Sequence, residues 1–171
     1  MEELLQTAFA KNRTKGILLD TNVLLLFLFA IFQPAMIGRK RLERYDGEAG
    51  SLLVNYVSKF NRVLTTSHVL AETSNLAAQI VDRRARDELF TKFHPLFCLV
   101  TPESFGQCAV LGENVDSKLF SRIGLTDSCL ASLVQRETLL LTDDLDLYVA
   151  AVATHGQVIN FTHMREAFGT L

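Results

Sequence analysis

Short apolar runs alternate along the chain with longer segments of helical period. The runs fall at 16–20, 62–66, 96–101, 138–142 and 157–161. Their length and continuity predict buried strands. Apolar residues recur at helical spacing over 22–32, 48–61, 67–80, 83–94, 102–113, 126–136 and 144–155. Strands alternating with helices predict an α/β fold, a three-layer α/β/α arrangement around a central, mostly parallel sheet. Two of the strand runs end abruptly in acid: Gly16-Ile17-Leu18-Leu19-Asp20 and Leu139-Leu140-Leu141-Thr142-Asp143-Asp144. Ligands of open parallel sheets bind beyond the carboxyl ends of the strands. These two runs therefore bring carboxylates to one edge of one sheet. Like charges held close are costly unless a positive charge lies between them, and a divalent cation is the simplest one.

The segment from Val23 to Phe32 is ten apolar residues without a break. A membrane-spanning helix needs about twenty. Asp20 and Asn22 on one side and Gln33 and Pro34 on the other bracket the run, so it reads as a buried core helix. Pro34 and Gly38 end that helix. The stretch from Gln33 to Gly50 is expected to be a loop or helical extension, and it carries Arg39, Lys40, Arg41 and Arg44. No repeat, low-complexity tract or domain boundary interrupts the pattern, so a single domain over 1–171 is expected.

Composition adds two constraints. A net charge of -2 encodes no global attraction to nucleic acid, so any such attraction has to be local. Cys98, Cys108 and Cys129 are odd in number and lack CxxC spacing, which disfavours a disulfide framework or a structural zinc site. They suit a reducing compartment. Met1 to Lys15 is polar and mixed in charge, unlike a signal peptide, and a cytoplasmic location is the expectation.

Further acids sit where helices begin. Ser67 is a plausible cap for the helix that carries Glu72 about one turn in. Thr126-Asp127-Ser128 opens the helix that follows. Asp143 and Asp144 open another, with Asp146 one step inside it. Each has a plain structural reading: Asp20, Asp127 and Asp144 are good helix caps, and a helical Glu is usually solvated. Successive strand residues point opposite ways, so Asp143 and Asp144 are not expected to reach one ion equally. Asp144 is the favoured ligand, with Asp143 in support, and Asn22 is placed to orient Asp20 or a bound water. His68 lies four residues before Glu72 on the same helix face. It reads better as a structural histidine, because the remaining candidate ligands are oxygens, which disfavour zinc.

Taken in order, these pieces are a strand followed by Asp20-Thr21-Asn22 and an apolar helix, then Ser67-His68-Val69-Leu70-Ala71-Glu72, then Thr126-Asp127-Ser128, then a strand ending Thr142-Asp143-Asp144. This order resembles the PIN domain family of metal-dependent ribonucleases over residues 16 to about 160. The resemblance implies a PIN-like three-layer fold and an endoribonuclease that uses Mg²⁺ or Mn²⁺. It assigns Asp20, Glu72, Asp127 and Asp144 as metal ligands and catalytic residues, with Asn22 and Asp143 supporting them. It also implies RNA hydrolysis that leaves a 5′-phosphate and a 3′-hydroxyl. The segment at about 33–50 reads as a basic insertion relative to compact members of the family. Many small members are toxins of bacterial toxin–antitoxin pairs. The expected partners are therefore an RNA substrate, an antitoxin protein and a second copy of the chain, with no membrane. A non-catalytic PIN-like module that binds RNA or protein is the alternative.

An acidic centre needs local positive charge to hold substrate phosphates. Arg39, Lys40, Arg41 and Arg44 are the first candidates. Arg83, Arg84 and Arg86 form a second cluster, partly neutralised by Asp82, Asp87 and Glu88.

Overall fold

The computed structural model describes residues 2–98, 117–134 and 138–169. The chain opens with helix α1 (Glu2–Asn12) and then forms β1 (Ile17–Leu19) and α2 (Thr21–Phe32). Two 3-10 turns, Pro34–Met36 and Lys40–Leu42, lead to α3 (Gly47–Val57), β2 (Val63–Leu64), α4 (Ser67–Ile80) and α5 (Arg83–Cys98). After these come α6 (Ser117–Val134), β3 (Leu139–Thr142), α7 (Leu145–Ala153), β4 (Val158–Asn160) and α8 (Phe161–Phe168). All four strands are parallel, in the order β2-β1-β3-β4. This is the expected α/β class.

The register decides where the acids go. Ile17 pairs with Leu139 and Leu19 with Leu141, so β1 and β3 run side by side and end together. The amide of Asp20 extends the ladder by donating to the carbonyl of Leu141 at 3.2 Å. The strand order reverses direction between β1 and β3. Such a switch point is where an open parallel sheet leaves a crevice. Every residue of β1 and β3 is buried, as expected of strands covered on both faces. Gly16, just before β1, sits at φ 105, and a Cβ there would stand 2.9 Å from the carbonyl oxygen of Arg62. Only glycine allows these two segments to lie that close.

Helix α2 is the main packing element. Val23 through Phe29 are buried without exception. Phe29 meets Phe93 of α5 edge to face, with ring centroids 6.0 Å apart. Among the described residues, no helix is long and apolar enough to cross a membrane. The apolar run therefore ends up in the core.

Three expectations need correction or placement. The strand expected at 96–101 is helical as far as Cys98, and 99–101 lie outside the described residues. The spacing of Leu89, Phe93 and Leu96 carries the helical period through the apolar run, and Leu89 and Phe93 are buried on it. The helix expected at 102–113 also lies outside the described residues, as do 135 and 136 of the helix expected at 126–136. Two helices were not expected. In α1, Leu5 with Ala8 and Phe9 forms one apolar face among polar residues; in α8, Phe161 and Met164 do the same.

Candidate functional site

A cleft of about 280 Å³ opens at the carboxyl edge of β1 and β3. Asp20, Thr21, Asn22, Glu72, Asp127 and Asp144 line it, together with the segment Ile123–Thr126. Four elements thus contribute the four carboxylates: the β1–α2 junction, α4, α6 and the β3–α7 junction. Among the described residues, no lysine or arginine lines the cleft.

Asp20 is both a cap and a wall of the cleft. Its Oδ1 accepts from the amide of Val23 at 2.7 Å, closing the first turn of α2. Its Oδ2 accepts from the Thr142 hydroxyl and from the amide of Asp143 at 2.9 Å. The side chain is only 2 % exposed. Burial raises the pKa of its carboxyl above the ordinary value, making it a weaker acid, and the hydrogen bonds from Thr142, Val23 and Asp143 only partly offset this. Thr142 serves both strand ends, because its hydroxyl oxygen also accepts the amide of Asp144 at 3.0 Å.

Glu72 reaches the cleft from the second turn of α4, where the Thr21 hydroxyl donates to its Oε2 at 3.0 Å. The helix starts at Ser67 because Thr66 caps it, accepting from the amide of Val69. Thr66 rather than Ser67 is therefore the cap. His68 is not part of the cleft lining. Its Nδ1 is buried without a hydrogen-bond partner among the described residues.

Asp127 depends on a break in α6. Gly124 sits at φ 83, ψ 177, which interrupts the helix and lets Thr126 and Asp127 begin a new segment facing the cleft. The Ser128 hydroxyl ties this break by donating to the carbonyl of Gly124 at 2.6 Å. The Asp127 carboxyl rises from 3.8 to about 7, through burial first and then the charges of Asp144, Asp20 and Glu72. Asp127 therefore feels the charges of the other three acids across the cleft.

The three neighbouring acids at the end of β3 separate cleanly. Asp144 lines the cleft and caps α7 by accepting from the amide of Leu147 at 2.9 Å. Asp143 turns the other way and is 3 % exposed. It meets the Tyr45 hydroxyl at 2.6 Å, the Thr162 hydroxyl and the Arg44 Nε at 3.3 Å. Asp146 is exposed on α7 and pairs with Arg122 at 3.1 Å.

The basic segment after α2 is largely engaged within the molecule. Lys40 donates to the carbonyls of Gln79 and Ile80, the open C-terminal groups of α4, a favourable place for a cation. Arg41 donates to the Gln79 side chain at 2.9 Å. Arg44 is committed to Asp143 and stacks over the Tyr45 ring at 5.1 Å. Arg39 is exposed. None of the four lines the cleft. In the second cluster, Arg86 donates to the carbonyl of Ala78 at 2.9 Å.

Sequence reasoning gave no role to Thr21, Thr142, Tyr45 or Thr162. Their partners lie 51, 122, 98 and 19 residues away, so neither spacing nor periodicity marks them.

Lined by four carboxylates, the cleft suits a hard divalent ion in its donor chemistry. Among the described residues, however, no three Asp, Glu, His or Cys side chains are grouped closely enough to hold a metal ion together. Fold and cleft define an α/β protein with an acidic crevice at the switch point of a parallel sheet. None of the family models, curated proteins or solved structures compared with the chain matches it.

Proposed function

We propose that the chain is a Mg²⁺- or Mn²⁺-dependent endoribonuclease of PIN-like type. The observation that carries this reading is the convergence of Asp20, Glu72, Asp127 and Asp144, from four separate elements, on one cleft. The raised pKa values of Asp20 and Asp127 reflect burial and, at Asp127, the repulsion that a bound cation would relieve. Asp20, Glu72, Asp127 and Asp144 are the residues to hold the ion, some of them through water, since Mg²⁺ commonly keeps several waters. When bound, such an ion activates a water and neutralises charge on a phosphoryl group. Thr142 and the amide of Asp143 hold Asp20 in place, and Thr21 holds Glu72. The cleft is polar and lined by acids, with room for a phosphodiester and its attacking water. The expected products carry a 5′-phosphate and a 3′-hydroxyl, and a toxin role opposed by an antitoxin is the biological context the resemblance suggests.

The wider spacing of the carboxylates favours one other reading, a PIN-like module that binds RNA or protein without catalysis. One pair of measurements separates the two. The first is the thermal midpoint with and without millimolar Mn²⁺, and the second is cleavage of single-stranded RNA by the wild type and Asp20→Asn. The nuclease reading expects a metal-dependent rise in midpoint, because the site exists only in the folded chain, and cleavage that Asp20→Asn abolishes. No metal response and no cleavage would leave the binding module.

A further inference from the structure

We propose that Arg44 and Tyr45, supplied by the segment between α2 and α3, are positioning residues that fix the carboxylate of Asp20 through Asp143. This builds on the proposed role of Asp20 as a ligand and assigns a role to a segment otherwise read as an RNA-binding insertion.

Asp143 is a buried acid with partners from three places in the sequence. Its Oδ2 takes the Tyr45 hydroxyl and the Arg44 Nε, and its Oδ1 takes the hydroxyl of Thr162 on α8. Its backbone amide points the other way, to Oδ2 of Asp20 at 2.9 Å. One residue therefore connects the insertion to the cleft. Its side chain is held on one side of β3, and its amide donates on the other.

The segment carrying the partners is itself held firmly. Arg165 of α8, 6 % exposed, donates to the carbonyl of Arg44 at 3.1 Å and pairs with Asp46 at 3.8 Å. The Tyr45 ring lies between two guanidinium groups, Arg44 at 5.1 Å and Arg165 at 5.8 Å, and leans on Phe161 at 6.3 Å. Burial, reinforced by the Asp143 charge, raises the pKa of the Tyr45 phenol well above its ordinary value, so it remains a donor. A buried carboxylate with a cation and two hydroxyl donors is satisfied, whereas removing one partner leaves it short. Once Asp143 shifts to recover water, its amide moves with it, and Asp20 loses one of the three donors that orient its oxygens. A carboxylate held by such outer contacts presents its free lone pairs in a fixed direction, and loss of outer contacts commonly costs tenfold or more in metal affinity.

The test uses Tyr45→Phe, which keeps the ring and removes the hydroxyl, and the pair Arg44→Met and Arg44→Lys. Amide hydrogen exchange at Asp143 is read by NMR, with the Leu140 amide, bonded to Gln157 in the same sheet, as the internal control. Mn²⁺ affinity is measured by titration on the same samples. The Asp143 amide should exchange about tenfold faster in Tyr45→Phe and Arg44→Met, the effect of losing one hydrogen bond of ordinary strength. Leu140 should be unaffected, and Arg44→Lys should restore much of the protection. Mn²⁺ affinity should fall by roughly tenfold in step. Unchanged protection at Asp143, or an equal loss at Leu140, overturns the proposal. So does a loosened Asp143 amide with wild-type Mn²⁺ affinity. If the wild type binds no Mn²⁺, the nuclease reading fails, while the exchange data alone still decide whether Arg44 and Tyr45 fix Asp20.

Discussion

Replacing Asp127 by Asn should make the metal-free protein more stable at pH 8 and no more stable at pH 4. The Asp127 carboxyl titrates near 7 in the folded chain against 3.8 ordinarily. Between those values the unfolded chain has released this proton and the folded chain still holds it. Stability therefore falls as pH rises from about 4 to 7, and the loss is complete above. At about 1.4 kcal/mol for each tenfold change in acidity, the full penalty is about 4 kcal/mol. Asp127 is only partly buried, and solvent screening brings this nearer 2 kcal/mol. For a chain of this size that is a rise in midpoint of about 4–8 °C. Thermal unfolding in the presence of a chelator, followed by circular dichroism for wild type and Asp127→Asn across a pH series, measures the difference directly. Subtracting the two curves removes the titration of every other group that the substitution leaves unchanged. Saturating Mn²⁺ should then reverse the order, stabilising the wild type and doing little for the variant. A variant that is equally or less stable than wild type at every pH would refute the idea that Asp127 is held against the charges of Asp144, Asp20 and Glu72.

Asp20→Asn retains an oxygen to cap α2 but puts an NH₂ where Oδ2 accepts from the Asp143 amide; it should still fold, at a cost of about 1–3 kcal/mol, while RNA cleavage in a gel assay falls at least about a hundredfold, the loss expected of a group acting on the reacting phosphate. Lys40→Ala removes a cation from the C-terminal carbonyls of α4 and should cost about 1 kcal/mol in a denaturant titration; no change would mean those carbonyls are equally well served by water. Arg39→Ala should leave stability alone. If Arg39 meets an RNA phosphate, filter binding by an Asp20→Asn background across a salt series will show a slope shallower by about 0.7; an unaltered slope removes Arg39 from the RNA path. Gly124→Ala meets open space but must adopt φ 83, so it should destabilise by about 1 kcal/mol and lower Mn²⁺ affinity by displacing Asp127; affinity equal to wild type would detach the helix break from the site.

The sheet and the apolar helix were readable because their signals are local. Leu18-Leu19 and Leu139-Leu140-Leu141 are uninterrupted and flanked by polar residues, so strand period and length agree. The helix over 67–80 was readable from its spacing and a hydroxyl residue at its start, although the cap proved to be Thr66 and not the expected Ser67. Where signals overlapped, the reading failed: the apolar residues at 96–98 satisfy both a buried strand and the next turn of α5, and only packing around Leu89 and Phe93 separates the two. Helix α1 has one thin apolar face, Leu5, Ala8 and Phe9, among charged residues, too little to stand out in sequence. At the site, the positions of Asp20 and Asp144 followed from strand ends, since a parallel sheet collects its carboxyl termini at one edge. The direction in which Asp143 turns was half readable. Alternation says that it and Asp144 diverge, but its partners Arg44 and Tyr45 are a tertiary fact. The same holds for Lys40 and Arg41, which resemble a phosphate-binding run in sequence and are occupied by the end of α4 in the fold.

That occupation changes how positive charge near this cleft should be understood. A cation reserved for substrate has to be solvated and uncommitted, because pairing it internally costs the protein nothing at rest and costs the complex a broken contact. Lys40, Arg41 and Arg44 fail that condition: each already donates to a helix end, an amide or a buried carboxylate. Their contribution is to hold the 39–45 segment against α4 on one side and β3 on the other. Among the described residues, no lysine or arginine then lines the cleft. A cleft lined by carboxylates favours a small divalent cation over a polyanion. Under the proposed nuclease reading, the ion should therefore enter first and the phosphate be attracted to the filled site. Binding of RNA to the acidic cleft should therefore depend on Mg²⁺ or Mn²⁺. Filter binding with catalytically dead Asp20→Asn will underestimate this, since that variant has lost part of the ion's own site. The cleaner measurement uses wild-type protein and an RNA whose non-bridging oxygens are replaced to resist cleavage, titrated with Mn²⁺ at fixed ionic strength. Affinity that rises with Mn²⁺ in the range where thermal stability also rises supports this order. Affinity that is high without any divalent ion would place the RNA elsewhere on the surface and remove the cleft from its path.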